Sequence, residues 1–150
     1  MQTRLILALI ATQDITFLGW IPKIALALLG IDIPPSVVLG AGIRLPHRAH
    51  GVVIHPLTRI GANVTIYHNV TIGRADAHLQ FSESSFEGFV LEDGVLIGAG
   101  AIVLGGKGVT TIGAGAIIGA GTVLAHSIGR GEIWAGNPAK LVGRRDADDA

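Results

Sequence analysis

Histidine is the residue type in this chain that is best suited to acid–base chemistry near neutral pH. The sequence contains six histidines and no cysteine, so a thiolate nucleophile, a disulfide and a thiolate metal site are excluded. An imidazole, with a pKa near ~6.5, can take the proton of an attacking hydroxyl and so contribute ~10² to 10⁴ in reaction rate. His47 is one candidate, and Asp32 offers a carboxylate able to fix an imidazole tautomer. A turn histidine that only faces solvent is the alternative.

A six-residue repeat organises the sequence around these side chains. Every sixth residue is aliphatic, and glycine or another small residue often follows it. This period differs from the 3.6 of a helix and the alternation of a plain strand, and it suits a short strand followed by a tight turn. Such hexads begin at Ile33, Leu39, Leu45, Ile54, Ile60, Ile66, Ile72, Leu91, Ile97, Val103, Ile112, Ile118, Leu124 and Ile133.

The repeat predicts a single, mainly β domain in which residues 31–139 form a parallel β-helix. Three strands per coil close a triangular prism with the aliphatic side chains stacked inside. A β-sandwich, the alternative, has strands spaced about 8 to 12 residues apart with polar alternation. The longest interruption is an inserted loop at 77–90, which carries His78, Phe81 and Phe86. Loops of this size are often functional: this one either covers a neighbouring active site or packs on its own prism.

The two ends of the chain do not follow the repeat. Residues 1–30 read as an N-terminal helical cap, two apolar pieces split near Pro22 and closed by Gly30, packed on the open first coil. Residues 140–150 read as a C-terminal tail whose last residues, 146–150, are frayed. The apolar stretches at 5–11 and 24–29 are too short for the ~18 residues of a membrane span.

Composition narrows the possible partners and compartment. The formal net charge is zero, which provides no basic field for nucleic-acid phosphates, so no nucleic-acid partner is expected. Glycine makes up 22 of the 150 residues, and charged residues make up 15%. The abundant aliphatic residues indicate a folded chain rather than a low-complexity one. The absence of cysteine agrees with a reducing compartment, and a cytoplasmic location is the expectation.

The hexad register predicts which side chains share a corner of the prism. Leu45 and Ile66 stack in successive coils, which places His47 and His68 one strand spacing, about 4.8 Å, apart. The position that corresponds to Asp32 one coil later is Val53. The turns at Gly98-Ala99-Gly100 and Gly119-Ala120-Gly121 stack on the same corner and, because their side chains are small, leave room for a ligand.

Five segments carry a resemblance to a known family. The sequence resembles the hexapeptide-repeat acyltransferases, and among them the serine acetyltransferase-like branch, which includes members that acetylate sugars or polysaccharide precursors. The likeness covers about residues 30–145. Its segments are Asp32-Ile33-Pro34-Pro35, Leu45-Pro46-His47, Gly51-Val52-Val53-Ile54-His55-Pro56, Ile66-Tyr67-His68-Asn69-Val70-Thr71-Ile72-Gly73 and Ala135-Gly136-Asn137-Pro138-Ala139-Lys140.

The resemblance implies an O-acetyltransferase with a left-handed parallel β-helix, a homotrimer, and acetyl-CoA bound as co-substrate between neighbouring prisms. In this family a catalytic histidine follows an aspartate by fifteen positions, which implies His47 as general base and Asp32 as its orienting carboxylate. His68 and His78 are the expected acceptor-binding residues, and no metal is expected. The residues expected to bind acetyl-CoA are Gly73, Gly98, Ala99, Gly119, Ala120 and Lys140, with Arg144 and Arg145 as further cations for its phosphates.

Two departures from the family pattern concern the acceptor. The aspartate that the serine enzymes carry before the catalytic histidine is Pro46 here, and their later Arg-His pair is replaced near Glu87-Gly88. The acceptor is therefore left open between serine and a sugar hydroxyl.

Two other functions occur on hexapeptide-repeat folds. One is a zinc-dependent, carbonic anhydrase-like protein, for which His50 and His55 are spaced as two ligands might be, although a third ligand is missing. The other is a non-catalytic trimeric scaffold.

Overall fold

The computed structural model describes residues 2–14 and 20–145. Two N-terminal helices are followed along the chain by short strands that form three sheets. The fraying predicted for 146–150 lies outside the described residues. Each sheet is one face of a triangular prism. The first sheet contains β1 (Val38–Leu39), β3 (Thr58–Ile60), β6 (Phe86–Leu91) and β9 (Gly108–Ile112); the second contains β2 (Val53–Ile54), β5 (Thr71–Arg74), β8 (Ile102–Gly105) and β11 (Val123–Leu124); the third contains β4 (Thr65–Ile66), β7 (Leu96–Ile97), β10 (Ile117–Ile118), β12 (Glu132–Ala135) and β13 (Lys140–Arg144).

The aliphatic residues of the hexads stack along the prism axis, one coil above the next. Two such stacks, each member at most 2% exposed, are Ile54, Ile72, Val103 and Leu124, and Ile66, Ile97 and Ile118. Complete burial of an aliphatic side chain contributes roughly 1.5–3 kcal/mol, so these stacks are the main source of stability. The predicted fold, a left-handed parallel β-helix of hexapeptide repeats with a short N-terminal helical segment, is confirmed.

The last coil departs from the predicted register by one residue. Ile118 pairs with Trp134, so Trp134, rather than Ile133, continues the stack of the third sheet. Ile128, which the hexad count leaves out, forms a bridge with Ile112 and is 5% exposed. A short corner after Leu124 therefore supplies the missing residue of the first sheet. A count by sixes cannot detect this shift, because both neighbours at 133 and 134 are apolar.

The predicted inserted loop at 77–90 is too long at its C-terminal end. Residues 86–90 belong to strand β6, which pairs with β3 and β9. Phe86 and Phe89 are 5% and 1% exposed, so the aromatic rings fill the core like the aliphatic residues of other coils. Gly88 has φ of 141° and lies at a register shift in the pairing of β6 with β9. Such an irregularity lets the chain that returns from the excursion join the sheet. The excursion is therefore limited to residues 75–85.

The N-terminal helical cap is formed by α1 (Gln2–Ala11) and α2 (Trp20–Leu28). The prediction that the two helical pieces are split near Pro22 is wrong. Pro22 lies in the first turn of α2, where the N–H that proline lacks would have no partner within the helix. Gly30 closes α2 as expected, with φ of 67° and its N–H donating to the carbonyl of Ala27. The buried side chains of both helices join the core of the prism. Neither helix in the described part of the chain is long and apolar enough to cross a membrane.

The predicted C-terminal tail at 140–150 begins instead with a strand, because β13 pairs with β12 as an antiparallel hairpin. Glu132 stabilises this hairpin by accepting hydrogen bonds from the Trp134 indole, the Gly129 N–H and the Arg144 guanidinium. These bonds, the indole's foremost, hold the pKa of the Glu132 carboxyl below its usual value. The hairpin thereby covers the last coil.

Candidate active site

The imidazoles of His47 and His68 are in direct contact at one corner of the prism. Their ring centroids lie 4.8 Å apart with an interplanar angle of 78°, and the register that places them together is the parallel bridge between Arg44 and Thr65. His47 is exposed, whereas His68 is half-buried. The Nδ1 atom of His68 is buried and has no hydrogen-bond partner among the described residues. A buried polar atom of this kind costs free energy unless a water molecule, a ligand or another subunit supplies the partner.

The turn that carries His47 has an unusual backbone. His47, Arg48 and Ala49 all have left-handed conformations, with φ of 53°, 61° and 53°. Each costs of order 1–3 kcal/mol in a residue other than glycine, and such residues concentrate at functional sites. The turn is held at both ends, since the N–H of Leu45 donates to the Thr3 hydroxyl and that of Val52 to the Ala49 carbonyl.

Tyr67 is a neighbour of His47 that the sequence analysis does not single out. The two ring centroids are 6.2 Å apart at an interplanar angle of 40°. Its position directly after Ile66 and before His68 is the signal in the sequence, because residues at the same corner in successive coils stack on one another. The corner therefore presents three rings rather than two.

Asp32 occupies the predicted place one coil before Val53, with which it forms a parallel bridge. Its N–H donates to the carbonyl of Val52 and its carbonyl accepts from Ile54, so its backbone is fixed on the second sheet. Its side chain is exposed. Between these two described residues, Asp32 and His47, no side-chain hydrogen bond is formed. The structure thus brings Asp32 beside the segment that leaves the His47 turn, without a direct contact to the ring.

His50 and His55 are held by separate local contacts. The Nδ1 atom of His50 lies 3.1 Å from the carbonyl of Leu29, at the end of α2. The Nδ1 atom of His55 accepts the N–H of Leu57, and its ring packs edge-on against Phe86 at 4.9 Å. Burial, followed by the charge of Arg74, lowers the pKa of His55 below its usual value. The Nδ1 atoms of the two residues thus contact separate backbone groups, and no cluster of three ligating side chains occurs in residues 2–14 and 20–145.

The small residues expected to bind acetyl-CoA mostly share the corner of His47 and His68. The N–H of Gly100 donates to the carbonyl of His68, and the N–H of Gly121 donates to that of Ala99. A Cβ on Gly98 would approach the Ala120 nitrogen within 2.6 Å, which shows how closely these turns stack. A Cβ on Gly100 or Gly121 would meet no atom within 4 Å. The corner therefore has an open surface above tightly packed turns.

The remaining expected acetyl-CoA residues are divided between this corner and other places. Gly73 lies on the second sheet opposite Leu104 and so is not part of the corner. Lys140 pairs with Ala135, whose side chain abuts Gly119. An exposed ammonium thus lies at the end of the row of small turns.

Arg144 and Arg145 lie at the far end of strand β13 from Lys140. The guanidinium of Arg144 is paired with Glu132 at 2.8 Å, and that of Arg145 donates to the carbonyl of Gly115. The three cations therefore do not form one cluster.

His78 lies in the excursion at residues 75–85 and is exposed. The excursion is tied to its own prism, because the Arg74 guanidinium donates to the Leu79 carbonyl and lies 5.3 Å from the centre of the Phe81 ring. Asp76 adds an ion pair to Arg74 and accepts from the Ser84 hydroxyl. Within this chain, the loop does not bring His78 to His47.

The curated proteins that this chain resembles in sequence include several enzymes of one kind. No family model matches the chain. It is 39% identical over 120 residues to serine acetyltransferase 4 of Arabidopsis thaliana, covering 80% of this chain and 31% of the relative. It is 37% identical over 123 residues to the serine acetyltransferase of Escherichia coli strain K12, covering 79% and 40%. The chain thus spans less than half the length of the curated relatives it matches.

Solved structures show the same relationship in three dimensions. The serine acetyltransferase of Neisseria gonorrhoeae superposes with a TM-score of 0.73 at 32% identity, covering 91% of this chain and 50% of that one. The serine acetyltransferase of Brucella abortus strain S19 in complex with coenzyme A gives a TM-score of 0.72 at 31% identity, covering 85% and 48%. In sequence and in fold, the chain is confirmed to be similar to the hexapeptide-repeat acyltransferases of the serine acetyltransferase type.

Proposed function

We propose that this chain is an O-acetyltransferase that moves an acetyl group from acetyl-CoA to a hydroxyl of a small acceptor, serine or a sugar. The acceptor oxygen bonds to the thioester carbonyl carbon while His47 takes its proton. The carbon–sulfur bond then breaks, and His47 returns the proton to the departing CoA sulfur. The observation that carries the proposal is the exposed His47 ring on a strained turn, in contact with His68, beside a row of small turns.

The proposed roles of the other residues follow from their places around this corner. His68 contacts the acceptor, because its buried Nδ1 atom has no hydrogen-bond partner in the described part of the chain. Gly98, Ala99, Gly119 and Ala120 provide the groove for the pantetheine arm, and Lys140 receives a phosphate of CoA. Asp32 orients His47 through a contact that forms when substrate binds, since active-site hydrogen bonds often tighten only in the complex.

We extend the proposal to a homotrimer in the cytoplasm, with acetyl-CoA between neighbouring prisms. Support for subunit packing comes from apolar side chains on two outer faces: Val38, Val53 and Val109 are 52%, 39% and 45% exposed. In such a trimer the excursion at 75–85 would bring His78 to an acceptor at a neighbouring subunit's corner. The lack of cysteine is consistent with a reducing compartment.

The test is CoA release from acetyl-CoA with a panel of L-serine, hexoses and nucleotide sugars. We expect release with at least one acceptor, and a fall of ~10² to 10⁴ in His47→Ala, with CoA binding and the trimer unchanged. The matched control is His126→Ala, because His126 packs edge-on against Trp134 at the covered end of the prism. Full turnover in His47→Ala would refute the assignment of the base.

Two further measurements separate the alternative functions. Stoichiometric zinc by elemental analysis would support the metalloenzyme, whose two candidate ligands contact Leu29 and Leu57 through their Nδ1 atoms. Silence in both the CoA and the zinc assays would favour the scaffold.

A further inference from the structure

A cleft of about 570 Å³ separates α2 from the first coil of the prism. Its floor is rigid, because the buried Gln13 amide donates to the carbonyls of Ile33 and Ile10 and so ties the end of α1 to the first coil. The walls are Lys23, Leu26 and Ala27 on α2 and the segment from Gly30 to Pro35 on the prism.

One wall of this cleft is shared with the chain that leaves the His47 turn. The carbonyl of Leu29 lies 3.1 Å from the His50 imidazole, and Gly30 packs against the same ring. Asp32, which lines the cleft, is hydrogen-bonded through its backbone to Val52. The segment from Leu29 to Asp32 therefore borders both the cleft and the chain that leaves the His47 turn.

The side chains around the cleft combine two charges with an apolar wall. The exposed Asp32 carboxylate accepts hydrogen bonds from hydroxyl groups, and the exposed Lys23 ammonium donates to hydroxyl or carboxylate oxygens. Ala27, Pro34 and Pro35, which are at least partly exposed, offer carbon surface between them. Pockets that bind small ligands typically combine such an apolar wall with a few polar groups that fix orientation. A pyranose ring, with hydroxyls at its rim and C–H groups on its faces, matches this arrangement.

We propose that this cleft is the acceptor site for a pyranose unit of a saccharide, with Asp32 and Lys23 as its polar contacts. This inference rests on the proposed acetyl transfer and names the class of its acceptor. The cleft holds the sugar so that one of its hydroxyls is presented toward the His47 corner.

The test uses a steric block with a matched control. Ala27→Trp fills the cleft from α2, whereas Ala8→Trp places the same side chain at an exposed position of α1 outside it. Saturation-transfer NMR with glucose, galactose, N-acetylglucosamine, glucuronic acid and lactose, in the presence of CoA, measures sugar binding. We expect binding of at least one of these probes to the unmodified protein and to Ala8→Trp, and its loss in Ala27→Trp. Lys23→Met should raise the KM for that sugar about tenfold with kcat nearly unchanged.

The outcomes separate this inference from the proposed function. The cleft is not the acceptor site if L-serine causes CoA release from acetyl-CoA while none of the sugars binds, or if Ala27→Trp binds the sugar normally. In both cases the proposed acetyl transfer still stands. If CoA does not bind and no acceptor releases it, the proposed function itself falls.

Discussion

The imidazoles of His47 and His68 meet edge to face with centroids 4.8 Å apart, although twenty-one positions separate them in the chain. Their contact follows from the coil, which returns to the same corner after three strands. His47 is exposed, and the buried Nδ1 of His68 lacks a partner in the described residues. This asymmetry fits a base that reaches solvent and a neighbour that awaits a ligand.

Replacement of His68 should separate packing from substrate recognition. His68→Phe keeps an aromatic ring against His47 but removes Nδ1, so a role in packing alone would leave the kinetics unchanged. We expect the KM for the acceptor to rise about tenfold, the loss of one hydrogen bond, while the KM for acetyl-CoA is unchanged. Steady-state kinetics with each substrate varied in turn is the measurement. An unchanged acceptor KM would contradict the proposed contact.

Glycine in the His47 turn should relieve strain. Arg48 has φ of 61° and is exposed. Arg48→Gly removes from the folded state the ~1–2 kcal/mol cost of a left-handed conformation. Glycine also increases the conformational entropy of the unfolded chain, which destabilises the fold by ~0.4–1 kcal/mol. We expect a net gain of roughly 0.5 kcal/mol in the free energy of unfolding, measured in urea. Arg59→Gly in strand β3 is the control and should destabilise, because glycine weakens a strand interior. A loss of stability in Arg48→Gly would show that the turn carries no such strain.

The two phenylalanines of the 77–90 segment should differ sharply in their contribution to stability. Phe89 is 1% exposed and packs against Phe86 at 5.0 Å, so Phe89→Ala should cost about 3–5 kcal/mol in the free energy of unfolding. Phe81 is 58% exposed and contacts the Arg74 guanidinium, so Phe81→Ala should cost no more than ~1 kcal/mol. Equal costs, measured by denaturant unfolding, would mean that Phe89 is not in the core.

The partly buried position of His55 should make folding stability depend on pH. Burial and Arg74 lower its pKa in the folded state, so the folded protein binds fewer protons than the unfolded chain below the usual value of 6.5. His55 therefore contributes less to stability as pH falls through 6.5. His55→Asn keeps an acceptor for the Leu57 N–H but does not titrate. We expect the melting temperature of the variant to fall less than that of the unmodified protein between about pH 7.5 and pH 5.5. Equal falls would show that His55 is not responsible.

The sequence alone was sufficient for the repeating part of the fold. A strict six-residue period predicts which side chains point inward and which residues are adjacent in successive coils, because the same backbone unit recurs. The neighbouring positions of His47 and His68, the pairing of Asp32 with Val53 and the stacked glycine turns all follow from that register.

Only the tertiary structure decided what interrupts the repeat. Phe86 and Phe89 read as part of an excursion, yet they fill the core, because the space beside His55 accepts aromatic rings. Trp134 replaces Ile133 in the last stack, because a shorter corner shifts the register by one. Which side chain enters the core at these interruptions depends on the volume and the contacts that distant segments provide.

The proposed catalytic corner shows the same division. Its histidines were identified from their types and spacing, but the left-handed turn of His47, Arg48 and Ala49 contains no glycine and so leaves no sign in the sequence. The cleft between α2 and the first coil lies where the two helices dock on the prism, and the Gln13 hydrogen bond to Ile33 is part of that docking. A linear pattern records what each residue prefers locally, whereas the docking of helices and the strain of a turn are set by contacts between segments far apart in the chain.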